Sequence, residues 1–297
     1  MDRLSRHGLS VVMLSTLIGG CATFRGAASG SDSTPAVARA TRCFDLEALP
    51  DSDRVVAETT LLEVSDREGL YTLADGLKPM SSDVRNLQLR IAPTLDTVPL
   101  LELDRLRRVA ATLTCGEIGM LVQVFTNAYK RPDSTTVRSA SLAIYHRRAL
   151  RDAIVRQKVF FGRLGVTPSA EPGDVLSAVE NAPRADRWRG YGFLFGYPDD
   201  AVEFFVDAGV RGDSTKQLVP RDFRRIETFQ KYPGGAGEQA QSSFVYAVPK
   251  GAALSAGDRR LIDAAAPLYR RYLTLRTRHI GADSLGAVAL WREWHGR

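Results

Sequence analysis

The sequence predicts an α+β fold: a mainly antiparallel sheet of about five strands, four of them in two hairpins, packed with helices. Three observations carry that reading. Two pairs of apolar, strand-like runs, 117–126 with 136–145 and 222–230 with 242–248, are each joined by turn-forming residues. Several longer stretches repeat apolar residues at helical spacing. Strands and helices do not alternate regularly along the chain, as a parallel sheet would require.

The 297 residues, 44% hydrophobic and 25% charged, suffice to bury a sizeable core without metal or disulfide staples. A formal charge of +6 is a small excess over 34 acidic side chains, and the basic residues form no dominant patch, so composition gives no reason to expect a nucleic-acid partner. The first 21 residues are more informative. Arg3 and Arg6 precede an apolar run at 9–18, closed by Ile18-Gly19-Gly20-Cys21. The run is too short to span a bilayer, which takes about 20 apolar residues, and reads as a secretory signal.

That ending resembles the lipobox of bacterial lipoproteins: an aliphatic residue, two small ones, then cysteine. The resemblance implies a signal peptide at 1–20, cleavage before Cys21, and diacylglycerol and acyl (palmitate-type) modification of Cys21. Ala22 follows where aspartate would signal inner-membrane retention, so the implied address is the outer membrane, facing the periplasm. The segment 21–41, rich in Gly, Ala, Ser and Thr, then reads as a tether, and 42–297 as a single globular domain. The two remaining cysteines, Cys43 and Cys115, are a candidate disulfide in an oxidising compartment or two buried thiols.

In chain order, Val55, Thr59 and Leu62 after the acidic group 51–53 predict a first helix. A glycine-punctuated connection at 68–82 leads to a half-buried strand in which Leu87, Leu89 and Ile91 alternate with polar residues. Pro99 opens a helix with a stripe of Leu103, Leu106, Ala110 and Leu113. The first hairpin follows, turning at 132–134. Next come a helix over 147–161 and a shorter one from Pro172. The run 187–205 concentrates Trp188, Tyr191, Phe193, Phe195, Tyr197, Phe204 and Phe205 among three glycines, although aromatics are 8% of the chain. Pro198 starts a helix whose Asp199, Glu203 and Asp207 form one acidic stripe. The second hairpin turns through the glycines at 234, 235 and 237, and helices over 258–279 and around Trp291 and Trp294 close the chain.

No motif implies a cofactor or a metal. Gly190, Gly192 and Gly196 are spaced one residue too wide for a dinucleotide fingerprint, and no apolar strand precedes them. GxSxG, Ser-x-x-Lys and HExxH are all missing from the sequence, and His146 reads as a capping or solvated residue. The candidate ligand-binding groups are Tyr71, Lys78 and Ser81 in the first connection, with Tyr191, Tyr197 and Asp199 in the aromatic stretch. Both stretches read as glycine-rich loops or element ends, which often carry binding groups. The expectation is a binding or structural module of unidentified ligand; a periplasmic hydrolase using a cleft between 68–82 and 187–200 is the alternative. Arg259, Arg270, Arg271 and Arg278 make the last long helix basic, for contact with anionic headgroups beside the anchor or as a solvated face.

Overall fold

Prolines, acidic first turns and left-handed caps set the limits of the elements. The computed structural model describes residues 43–232 and 241–296, so the expected signal segment 1–20, Cys21, the expected tether and the glycines at 234–237 lie outside the described residues. Helix α1 (Asp51–Asp66) starts after Pro50 with Asp51 and Asp53 in its first turn, where the helix dipole favours negative charge. Its buried stripe holds Ala57, Leu61 and Val64, whereas Val55 is exposed. Of the residues whose spacing signals this helix, Leu62 is buried, Thr59 is half-buried and Val55 faces solvent.

Much of the expected connection at 68–82 is regular structure. Helix α2 (Leu70–Asp75) buries Leu70, Tyr71, Thr72, Leu73 and Ala74, and Gly76 ends it in the left-handed conformation. Strand β1 (Met80–Ala92) already begins at Met80. Helix α3 (Val98–Thr112) buries Leu103, Leu106, Val109 and Ala110, and the hairpin of β2 (Ile118–Lys130) and β3 (Thr136–His146) follows. These strands form one antiparallel sheet in the order β1-β3-β2. Central strand β3 is covered on both faces, with Leu142 and Ile144 packing into one core cluster and Ala143 and Tyr145 into another.

The helix expected over 147–161 breaks at Gln157 (φ −104°, ψ 34°) into α4 (Arg147–Arg156) and α5 (Lys158–Arg163). After α6 (Pro172–Glu180), residues read as glycine-rich loop form a helix, α7 (Arg184–Leu194), which leads into α8 (Asp199–Thr215). The second hairpin, β4 (Arg221–Tyr232) with β5 (Gln241–Pro249), makes a separate two-stranded sheet. The α+β class and the antiparallel pairing stand, with the five strands divided between two sheets. Five helices intervene between the hairpins, and the ribbon buries Ile226, Phe244, Tyr246 and Val248 in the main core.

Helix α9 (Ala256–His279) opens on a capping box of Ser255 and Asp258 and carries Pro267 inside it; α10 (Ala287–Trp294) buries Trp291 and Trp294. Trp291 donates from Nε1 to Ser65 Oγ at 2.7 Å, so its polar edge is satisfied within the core. Cys43 and Cys115 are disulfide-bonded, 4.4 Å apart at Cα, across a separation of 72 residues. In the chain-entropy view, closing a loop of that length stabilises the fold by roughly 4 kcal/mol.

Candidate functional site

Helices α7 and α8 meet through glycine. A Cβ on Gly192 would lie 2.7 Å from Val202 Cγ2, so only glycine allows the two backbones this close. Gly196 makes the turn between them at φ +70°. The glycines that approach a nucleotide fingerprint in spacing thus serve helix contact and a turn. With α7 held this way, Trp188, Tyr191 and Phe195 fall at helical spacing on one stripe.

The stripe and α8 face the β4–β5 ribbon across an apolar cleft of about 280 Å³. Its walls include Trp188, Tyr191, Phe195, Phe205, Phe223 and Val245, with Tyr197 at the turn. Trp188 meets Phe205 edge-on at 5.8 Å, and Tyr191 stacks on Phe195 at 5.4 Å. Phe205 keeps 40% of its surface exposed and Phe223 50%, so the rim offers apolar area to solvent. Covering such area returns about 25 cal/mol per Å².

Behind the Tyr191 ring the surroundings turn polar. Its hydroxyl donates to Glu180 Oε2 at 2.8 Å and accepts from Gln123 Nε2 at 2.6 Å. Burial is the main cause that pushes the phenol above its ordinary pKa, so it stays a neutral donor. Glu180 also accepts from the amide and the hydroxyl of Thr126. Gln123 Oε1 and Ser141 Oγ, on residues paired across β2 and β3, are buried and hold no hydrogen bond within the protein. A buried polar group left unpaired costs about 1–3 kcal/mol.

Over this part of the three-stranded sheet runs a groove of about 560 Å³ whose lining mixes polar side chains with Leu87, Phe125 and Trp188. Asn86 and Gln88 reach it from β1, Asn127 from β2, Ser139 from β3, and Glu180 and Arg187 from α6 and α7. Trp188 and Tyr191 line both the groove and the apolar cleft, so the two cavities share a wall.

Of the six residues singled out in the sequence, Tyr191 and Tyr197 line the apolar cleft. The other four do not join them there. Tyr71 is fully buried and donates its hydroxyl to the Glu227 carbonyl. Ser81 is buried against Thr72 Oγ1 at 2.8 Å. Lys78 is 0% exposed: its Nζ lies 2.6 Å from Glu68 Oε2 and 4.1 Å from the centre of the Phe244 ring, and burial lowers its pKa while Glu68 opposes the shift. Asp199 is exposed, accepts from Gln157 Nε2 at 3.0 Å, and lines a wide groove of about 720 Å³ with Leu77, Tyr197 and the start of α9. The stretches 68–82 and 187–200 do meet, but closely enough that a Cβ on Gly196 would sit 3.0 Å from the Leu77 carbonyl oxygen.

His146 caps α4, and His279 pairs with Glu293 at 2.5 Å; neither lines the two cavities. Among the described residues no group of three or more His, Cys, Asp or Glu side chains is placed to hold a metal ion. On the basic helix, Arg259 donates to the Leu254 carbonyl, Arg271 to that of Trp294, and Arg278 pairs with Glu293, while Arg270 is exposed. Glu180, Gln123, Phe223 and Val245 also belong to this region and are not among the residues the sequence singles out. Gln123 did carry a signal, as a polar residue inside the apolar run of β2. Compared with protein families, with characterised proteins and with solved structures, the chain matches none.

Proposed function

We propose that this is a lipid-anchored protein of the bacterial cell envelope, held by acylated Cys21 at the outer membrane and facing the periplasm, whose apolar cleft binds a small apolar ligand or the apolar part of a larger one. The cleft carries the reading. Ring and aliphatic side chains line an opening that keeps Phe205 and Phe223 exposed to solvent. The lipobox-like Ile18-Gly19-Gly20-Cys21 supports the anchor, and the Cys43–Cys115 bond supports an oxidising compartment. Exposed arginines of α9, Arg259 and Arg270 among them, are available for anionic headgroups at the same membrane.

Two measurements test this. Mass spectrometry of the native protein should find the chain beginning at a diacylglyceryl-modified Cys21; an unmodified thiol with 1–20 attached would end the anchor reading. Titration with N-phenyl-naphthylamine should show saturable fluorescence enhancement, lost in a folded Val245→Trp variant that fills the cleft. If the wild type takes up no probe, or the variant takes up as much, the cleft is not a binding site.

A further inference from the structure

The apolar cleft and the polar groove are two rooms with one partition, and the chemistry of each side suits one half of an amphiphile. Trp188 and Tyr191 form the partition, since both line both cavities. On the cleft side the lining is rings and aliphatic groups, which reward a hydrocarbon chain and nothing polar. On the groove side the donors and acceptors are mostly neutral: the amides of Gln88 and Asn127 and the hydroxyl of Ser139. The two charges present, Arg187 and Glu180, stand 3.9 Å apart and offset each other.

That balance disfavours a phosphate head, which would call for uncompensated cations. It favours a sugar. A primary amide offers an acceptor and two donors in one plane, matching neighbouring hydroxyls that each donate and accept. The apolar C–H face of a sugar ring can lie on an aromatic side chain such as Trp188. Beneath the partition Gln123 donates to the Tyr191 hydroxyl and fixes that ring between the two cavities.

We infer that the two cavities bind a single glycolipid-like amphiphile, with its acyl chain in the apolar cleft and a neutral, polyhydroxylated head group in the polar groove. The inference rests on the apolar cleft being a binding site and adds the head group. Calorimetric titration below micellar concentration separates the possibilities, using decyl maltoside, decylphosphocholine and maltose as ligands. Decyl maltoside should bind at least about tenfold more tightly than decylphosphocholine, a margin that one or two additional hydrogen bonds supply. Maltose alone should bind far more weakly. A Gln88→Ala/Asn127→Ala double variant should bring decyl maltoside down to the phosphocholine level. Equal affinity for the two decyl ligands would overturn the head-group assignment and leave the apolar cleft standing. Maltose binding as tightly as its decyl glycoside would replace the amphiphile by a free glycan. Binding of neither decyl ligand, with no uptake of the naphthylamine probe, would remove the cleft reading itself.

Discussion

His146 holds its place through a hydrogen bond that only the neutral ring can accept. Its Nδ1 takes the amide of Ala149 at 3.3 Å and caps α4. Burial first, and then the neighbouring Arg148, push the imidazole below its ordinary pKa, against the weaker pull of Glu117 and Asp75. The unfolded chain therefore takes up this proton more readily. The stability that the neutral ring contributes is complete above about pH 6.5 and is lost as pH falls through the lower folded value. His146→Asn keeps an acceptor at the cap and removes the titration. We expect its thermal midpoint to fall less than that of the wild type between about pH 7.5 and pH 5; an equal fall would assign the acid sensitivity to other groups. Lys78 shows the same cost of burying charge, met by Glu68 and by the rings of Phe195, Tyr197 and Phe244 around its ammonium group. A lysine followed by proline in a glycine-flanked segment looks accessible in the sequence. The packing of residues more than 100 positions away, which no local pattern records, is what buries it.

At the scale of elements, the α7–α8 pair decides whether the site exists. Its spacing depends on Gly192 lacking a Cβ against Val202. Gly192→Ala should cost about 1–3 kcal/mol by overpacking and widen or skew the apolar cleft. Urea unfolding together with probe affinity checks this, and a variant unchanged in both would show that the helices separate freely. The hairpins were legible because alternation and turn residues are local signals, as at Asp133 and Ser134, whose loop joins β2 to β3. Helix α7 was not legible: two glycines in 11 residues lower helix propensity, and here packing against α6 and α8 overrides it. The division of the strands into two sheets was equally hidden, since pairing between hairpins is a long-range choice that alternation does not encode.

Across the whole molecule, the aromatic stretch serves as both core and wall. Phe193 is buried among Phe161, Val175 and Leu194, while Trp188 and Tyr191 of the same helix and Phe195 just after it border open space. Composition marks the region as unusual, but which ring does which depends on distant packing: α5 and α6 cover Phe193, and the β4–β5 ribbon forms the far wall of the cleft. On our proposal the space between α7–α8 and this ribbon receives a hydrocarbon chain. Amide NMR spectra of the labelled protein, recorded with increasing decyl maltoside, decide whether it does. Saturating shifts should concentrate at Gly192, Ala201, Val245 and Ala247, with the signals of Trp291 and Leu61 unmoved. Shifts spread evenly over the surface, or gathered on α9 with the cleft silent, would contradict it.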